Sequence, residues 1–231
     1  KPKFVYLIAT FQNPQGFTIT EARRKSLLNV TQKFGVPILE DDCYADNRYD
    51  GDPVTSIYNL DDQKSVMYVG SFSKTIAPGI SLGYMTAPRS VLDAAMVVKS
   101  GRISEFAAMA VEKYARKYLS NHIKEINGIQ REKRDAMLSA LGEYFGTSAE
   151  WSNPQGGLYI WVKMKDGIDT VALSKKSLDE IDVGFHPGTN YASNGKSGTN
   201  YMRLCYGYND TEQIDDGVSK LAEFFEKEGA L

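Results

Sequence analysis

The opening of the chain constrains its fold more than any other feature, because two apolar segments flank one helical pattern. Phe4–Ala9 is an almost continuous apolar run, which is typical of a strand covered on both faces. Val36–Leu39 predicts the next strand, and the residues between the two segments predict a helix. Because a strand–helix–strand connection favours parallel strands with a right-handed crossover, we expect an α/β fold with a mainly parallel sheet.

The connecting helix has recognisable ends and one apolar face. Thr20 is a suitable N-cap, and Gly35 can close the helix at its other end. Between these two residues, Leu27, Val30 and Phe34 fall on one side of the helix. We expect that side to face the core.

The same patterns predict the remaining elements and a change of architecture along the chain. Residues 1–144 are predicted to form an α/β sheet domain that ends in a long amphipathic helix, and residues 145–231 a smaller α+β domain. The later strands are expected over Ser65–Gly70, Leu82–Ala87, Leu158–Met164 and Tyr201–Tyr206. Further helices are expected over Val91–Val98, Ser104–Leu119, Ile123–Tyr144, Val171–Leu178 and Thr211–Lys227, the last with Ile214, Val218, Leu221 and Phe225 on its apolar side.

Composition argues against several other classes of protein. Hydrophobic residues make up 42% of the 231 residues and charged residues 24%, as in an ordinary globular domain. The net charge of -2 gives no electrostatic reason to expect nucleic-acid binding, and no apolar segment is long enough to span a membrane. Cys43 and Cys205 lack metal-ligand spacing, so we expect no metal site, reduced cysteines and a cytoplasmic location.

Polar side chains follow three of the predicted strands. Asn13 follows the first strand, Asp41 and Tyr44 follow the second, and Lys74 follows the third. Because the carboxyl ends of parallel strands open on one edge of a sheet, where ligands of α/β folds bind, these side chains can converge. Three of the four have an ordinary alternative, since Lys74 could be a solvated cation, Asp41 a helix cap and Asn13 a turn residue.

Four motifs, in order along the chain, resemble those of the pyridoxal-phosphate-dependent aminotransferases of fold type I, class I/II, and in particular the aminoadipate/aromatic aminotransferase-like branch. "NPQG" resembles the NPxG motif, "EDDCY" the D-x-x-Y motif, "SFSK" the cofactor-lysine motif and "YMRLCYG" the segment of the carboxylate-binding arginine. The resemblance runs over nearly the whole chain. It implies that residues 1–144 are the C-terminal part of the cofactor-binding large domain and that residues 145–231 are the small C-terminal domain.

The resemblance also implies the roles of the residues around the cofactor ring. Lys74 would form the Schiff base with pyridoxal 5'-phosphate and then move the proton between the substrate Cα and the cofactor. Asp41 would pair with the pyridine nitrogen and keep it protonated. Tyr44 and Asn13 would hydrogen-bond the 3′ oxygen of the ring.

The phosphate and the substrate would be bound by other residues of the same motifs. By the resemblance, Ser71 and Ser73 would give hydroxyls to the phosphate, together with backbone N–H groups of their loop. Arg203 would hold the substrate α-carboxylate in a bidentate pair, with Asn13 also at the substrate. An arginine at that position could alternatively cap a sheet edge.

Two departures from the family pattern stand out. Where the family usually has an arginine that clamps the phosphate, in a P-G-x-R-x-G context, this sequence reads "APGISLGY" with Ser81. Losing that charge-assisted donor should weaken phosphate binding by about 1.5–3 kcal/mol unless another cation replaces it. Family members are also considerably longer on the N-terminal side, so we expect either a fragment or a chain that pairs with a separate N-terminal half.

The resemblance implies transfer of an amino group between an amino acid and a 2-oxo acid, by a ping-pong mechanism in a homodimer. One alternative is the effector-sensing domain of a transcriptional regulator, since some regulators carry the same fold behind a winged-helix domain. Another is a different fold type I reaction, such as β-elimination, because Lys74 and Asp41 serve all of these chemistries. The sequence does not indicate which amino acid is the substrate.

The tetrapeptide NPQG occurs twice, at Asn13–Gly16 and at Asn153–Gly156. The residues around the two copies differ, so an internal repeat is not predicted. The first copy is expected to be catalytic. The second resembles a turn of the small domain in which Gly156 and Gly157 supply backbone freedom, so we interpret the shared letters as coincidence.

Overall fold

A computed structural model describes all residues from 1 to 231, and the chain falls into two compact units. The first comprises Lys1–Gln12 and Thr18–Asn127, and the second comprises Asn13–Phe17 and Gly128–Leu231. The first NPQG copy therefore belongs to the second unit. The domain boundary expected after residue 144 stays a prediction.

The first unit is built on a sheet of four strands in the order β1-β2-β3-β4. The predicted parallel arrangement is confirmed for the first three strands, whereas β4 runs antiparallel to β3 and forms one edge of the sheet. The strands are β1 (Val5–Leu7), β2 (Ile38–Asp41), β3 (Val66–Ser71) and β4 (Gly83–Thr86). The apolar core of the unit is formed by Ala9, Leu28, Ile38, Ile57 and Val66.

Helix α1 (Glu21–Lys33) begins at the predicted N-cap but buries a different face from the one expected. The expectation that Val30 and Phe34 face the core is wrong, because their side chains are 52% and 60% exposed. The buried positions of the helix are Arg24, Leu28 and Thr31. Apolar periodicity does not predict this buried face, because the largest side chain on it is that of an arginine.

A buried ion pair explains why that arginine lies in the interior. Arg24 Nη1 lies 3.7 Å from Glu40 Oε1, and both side chains are fully buried. The two oxygens of Glu40 accept the backbone N–H groups of Ile57 and Tyr58, at the start of the one-turn helix α2 (Ile57–Leu60). Burial raises the pKa of Glu40, and the two N–H groups act against that shift. The remaining guanidinium bonds go to the carbonyls of Ala9, Ile19 and Thr55 and to the hydroxyl of Thr10.

One long helix replaces two predicted ones. The expected helices Ser104–Leu119 and Ile123–Tyr144 are joined in α4 (Glu105–Ala140), which continues into a wider helical turn over Leu141–Phe145. No glycine or proline occurs between residues 105 and 127, so nothing in the sequence ends the helix where a break was expected. Helix α3 (Arg89–Val98) precedes it. None of the helices combines the length and the apolar composition that crossing a bilayer requires.

The second unit contains an antiparallel sheet in the order β5-β6-β8-β7. Its strands are β5 (Ala149–Trp151), β6 (Tyr159–Met164), β7 (His186–Pro187) and β8 (Tyr201–Cys205), and its helices are α5 (Thr170–Ile181) and α6 (Thr211–Lys227). The bounds of α6 agree with the prediction, and its four predicted apolar residues are buried. Strands β5 and β7 were not predicted because two or three residues are too few for an alternating pattern.

We expect the change Glu40→Gln to lower the free energy of unfolding by about 3–5 kcal/mol, because it leaves the buried Arg24 charge unpaired. The matched control is Glu21→Gln on the exposed pair with Lys25, which should change stability by less than about 1 kcal/mol. Urea unfolding of both variants measures the difference. Equal effects would mean that the buried pair is not what holds α1 to the sheet.

Candidate active site

In the first unit, the polar residues predicted after β2 and β3 lie at the carboxyl ends of neighbouring parallel strands. Asp41 is the last residue of β2 and pairs in register with Val69 of β3. Lys74 lies just past the end of β3, in a helical turn closed by a 2.8 Å bond from Ile76 N to Phe72 O. The parallel pairing therefore brings the carboxylate and the amine to the same edge of the sheet.

The thiol of Cys43 lies within the influence of both groups. Burial, followed by the charge and hydrogen bond of Asp41, raises the pKa of Cys43 to about 12, while the Lys74 amine and the Tyr44 hydroxyl act in the opposite direction. The Cys43 thiol therefore lies near the carboxylate, the amine and the phenol. Asp41, Tyr44 and Lys74 belong to the first unit, whereas Asn13 belongs to the second, and the roles of these residues stay predictions.

Asp41 has a partner that the sequence analysis missed. Tyr6 Oη donates a 2.8 Å hydrogen bond to Asp41 Oδ2. Burial and this bond raise the pKa of Tyr6 well above its ordinary value, so the phenol stays a donor. Tyr6 lies on β1, the strand next to β2, and the parallel register of these strands was the available signal. The phenol fixes the orientation of the carboxylate.

Two serines shape the turn that carries Lys74. Ser71 Oγ accepts a 3.1 Å hydrogen bond from Ser73 N. A hydroxyl that accepts in this way still has its own proton to donate to an anion. Ser71 and Ser73 therefore stay the candidate phosphate residues of this loop.

Two side chains from outside the loop bind the carbonyls of the Lys74 turn. Asn47 Nδ2 donates to Lys74 O over 3.4 Å, and a ring N–H of His122, on α4, donates to Thr75 O over 2.8 Å. Neither residue was predicted, because neither lies in a recognisable motif. Together they hold two successive peptide groups at the position from which the lysine side chain extends.

Ser81, which stands where the family usually has an arginine, is engaged with its own turn. It follows a short 3₁₀ segment, Pro78–Ile80, in a left-handed conformation with φ of +50°. Its backbone N–H and its hydroxyl both lie within hydrogen-bond distance of Pro78 O, at 3.2 and 3.5 Å. This position thus offers an exposed hydroxyl and no positive charge.

In the second unit, the structure joins two predicted site residues that are 190 residues apart in the sequence. Arg203 Nη1 donates a 2.9 Å hydrogen bond to Asn13 Oδ1. The guanidinium carbon lies 4.1 Å from the ring centre of Tyr159 and 5.2 Å from that of Tyr191. Arg203 Nε is buried and has no hydrogen-bond partner in this unit. Its donor capacity suits a carboxylate.

The two tyrosines at Arg203 were not predicted. Tyr159 begins β6, and Tyr191 ends the short 3₁₀ segment Gly188–Tyr191, so they come from elements far apart in sequence. Trp161 extends the cluster, with its ring edge-on to Tyr191 at 5.7 Å. Rings close to the guanidinium leave its in-plane N–H groups for hydrogen bonding, which restricts how a ligand can approach it.

The two NPQG copies meet in the second unit. A Cβ on Gly16, whose φ is +73°, would lie 3.0 Å from Pro154 Cβ and 3.1 Å from Tyr159 O. At the second copy, Tyr206 Oη lies 3.3 Å from Gly156 O and 2.9 Å from Gly157 O, the carbonyls to which it donates. The glycine of the first copy thus packs on the proline of the second. The interpretation of the shared letters as coincidence stays a prediction.

The chain is similar to known proteins over nearly its whole length. The family model described as aminotransferase class I and II matches residues 1–221. Aromatic-amino-acid aminotransferase 1 of Thermococcus litoralis is 35% identical over 232 residues, covering 99% of this chain and 55% of that protein. A crystal structure of Pyrococcus horikoshii kynurenine aminotransferase, in complex with PMP, superimposes with a TM-score of 0.93 at 35% identity, covering 99% of this chain and 57% of that one.

The similarity extends to regulators and stops short of the relatives' full length. The HTH-type transcriptional regulator YisV of Bacillus subtilis is 30% identical over 227 residues, covering 96% of this chain and 46% of that protein. This chain thus spans about half the length of the relatives that it matches.

We expect Gly16→Ala to destabilise the second unit more than Gly229→Ala. The two glycines have similar positive φ, of +73° and +68°, so both substitutions carry a backbone penalty of about 1–2 kcal/mol. A Cβ at Gly229 meets open space, whereas one at Gly16 presses on Pro154, which adds about 1–3 kcal/mol of overpacking. Urea unfolding of the two variants gives the comparison. Equal losses would show that the first NPQG copy moves away without penalty.

Proposed function

We propose, since the chain belongs to the aminotransferase class I and II family, that it carries the lysine-bearing part of a site that transfers an amino group between an amino acid and a 2-oxo acid. One observation carries the proposal. Asp41 ends β2, and Lys74 follows the end of the adjacent parallel strand β3, so the carboxylate and the amine lie at the same edge of the sheet. Ligands of open α/β sheets bind at such edges.

The residues present fit pyridoxal 5'-phosphate. When bound, this cofactor supplies an aldehyde that takes the amino group and a ring that accepts electrons from the substrate Cα. Lys74 would hold the cofactor through its amine and, once displaced by the incoming amino group, would move the proton between the substrate Cα and the cofactor. Asp41, oriented by Tyr6, is a suitable partner for a protonated ring nitrogen, and Tyr44 is a suitable donor to the 3′ oxygen.

The anionic groups would be bound by donors already in place. Ser71 and Ser73, with N–H groups of their turn, would bind the phosphate. Arg203 would bind the substrate α-carboxylate through its in-plane donors, including the buried Nε. Asn13 would support that function by fixing Nη1 of the arginine. By the resemblance, it would also contact the substrate and the 3′ oxygen of the ring.

A second candidate function is the sensing of an amino compound within a transcriptional regulator. The similarity to YisV favours it, and so does the serine at position 81, because the loss of the usual arginine points to a non-catalytic or altered role. The homodimer and the cytoplasmic location expected from the sequence belong to the first candidate and stay predictions. Reduction and turnover experiments separate the two functions.

We expect Lys74→Ala to abolish covalent attachment of pyridoxal phosphate. Borohydride reduction in the presence of micromolar cofactor, followed by peptide mass mapping, should place the label on Lys74 in the unmodified chain. Lys64→Ala, which removes an exposed lysine of the same unit, should leave that label unchanged. Label that survives Lys74→Ala at another lysine would contradict the proposed site. Label on Lys74 without amino transfer to any 2-oxo acid would favour the sensor.

We expect Ser81→Arg to tighten cofactor binding, because it adds a charge-assisted donor where the resemblance places the phosphate clamp. A gain of about 1.5–3 kcal/mol corresponds to a dissociation constant lower by roughly 10- to 150-fold. Absorbance titration with pyridoxal phosphate measures the constant, and Ser81→Gln controls for the added length. A gain as large in Ser81→Gln, or none in Ser81→Arg, would mean that other groups hold the phosphate.

A further inference from the structure

His186 lies beside Arg203 in the sheet of the second unit. It pairs in register with Arg203 across β7 and β8, and Arg203 pairs with Trp161 of β6 on its other side. Side chains directly opposite each other on neighbouring strands point to the same face of a sheet, with Cβ atoms about 4.5–5.5 Å apart. The imidazole is therefore a neighbour of the guanidinium, although none of the four sequence motifs contains it.

The face of the sheet that carries this pair is not the core face. The next pair along β6 and β8, Ile160 and Leu204, points to the opposite face and is buried. His186, by contrast, is exposed to solvent. A proton and a dissolved ligand can therefore both reach the imidazole.

Arg203 is the charge that acts on this imidazole. Partial burial, followed by the charge of Arg203, lowers the pKa of His186. Lys163 also lies on this face of the sheet, but it is paired with Glu150 over 3.4 Å. The remaining titratable side chains of the face are not cations: Tyr159, Tyr191, Tyr201 and Cys205.

Helix α5 also packs against β7, and its charges have other surroundings. Lys176 and Glu180 form ion pairs of 2.6 and 3.2 Å with residues at the end of the chain. Lys175 and Asp179 are exposed to solvent, which screens their charges. The guanidinium on β8 is thus the one cation that opposes a proton on the imidazole.

A carboxylate bound to the guanidinium would remove that opposition. The anion neutralises the positive charge of Arg203, so the pKa of His186 rises when the ligand binds. A group whose pKa rises on binding makes the complex more stable at low pH. The affinity is then lowest where His186 is neutral in both states, rises as the pH falls through the pKa of the complex, and levels off below the pKa of the free protein.

We propose that His186 is a second ligand-binding residue of the Arg203 site, which takes up a proton when a carboxylate binds and then holds the anion together with the guanidinium. The proton comes from solvent and goes to the imidazole nitrogen that lacks one, so the step needs no other reactant. The inference rests on the proposed function of Arg203 as the residue that binds the substrate carboxylate.

Proton NMR of the full chain tests this coupling, because only two histidines give imidazole signals. The probe is phenylacetate at saturating concentration, whose ring suits the aromatic side chains around Arg203. We expect it to raise the pKa of His186 by about 0.5 or more, whereas phenylacetamide, the uncharged analogue, should not. His122, whose ring bonds to Thr75 O in the first unit, is the internal reference.

The outcomes of this titration separate the inference from the proposed function. Phenylacetate that binds without raising the pKa of His186, or that raises it equally in His122, would overturn the inference alone. Failure of phenylacetate to bind at all would contradict both the inference and the proposed function of Arg203. Arg203→Gln should raise the pKa of His186 without any ligand and abolish the response to phenylacetate.

The pH dependence of binding gives a second measurement. Calorimetry with phenylacetate should show an affinity about threefold higher at about pH 5 than at about pH 8. His186→Gln should remove this gain, since glutamine takes up no proton. The matched control is Lys175→Gln, which removes a charge from the other element packed on β7 and should keep the gain. An equal gain in His186→Gln, with both variants folded by circular dichroism, would overturn the inference.

Discussion

The buried pair of Arg24 and Glu40 is the interaction on which the first unit depends. The arginine reaches from α1 to the carbonyls that follow β1, and the glutamate reaches from β2 to the start of α2. Because both charged side chains are buried away from water, all of their polar atoms need hydrogen-bond partners. In this unit those partners belong to four different segments of the chain. The pair therefore fixes where β1 and β2 end. Asp41, the residue after Glu40, is placed as a consequence.

The strand pattern predicted the parallel part of the sheet. Because parallel strands end at the same edge, the sequence alone could predict that Asp41 and Lys74 lie at that edge. The face of α1 was not predictable in the same way. Hydrophobic periodicity treats arginine as a surface residue, but the ring of acceptors around Arg24 is created only when the chain has folded. The continuity of α4 shows the reverse error, since two helices were predicted where no glycine or proline imposes a break between them.

The motifs predicted Asn13 and Arg203 separately, and the hydrogen bond between them was not predictable. Sequence spacing carries no information on a contact across 190 residues. The same holds for Tyr159 and Tyr191, whose rings lie at the arginine from two different elements. Motifs therefore predicted the charged groups of the candidate site. The groups that orient them, including Tyr6 at Asp41, required the structure.

Lys74 and Ser81 belong to one connection between two paired strands. Residues 72–82 connect β3 to β4 and carry both side chains, and Phe72 N donates to Leu82 O where the connection begins and ends. The strand pairing thus restrains the two ends of the connection, while the bonds from Asn47 and His122 restrain the carbonyls near its middle. Position 81 has a hydroxyl and no positive charge, so the backbone N–H groups and hydroxyls of this connection are the donors that it offers to an anion, and their order depends on these contacts.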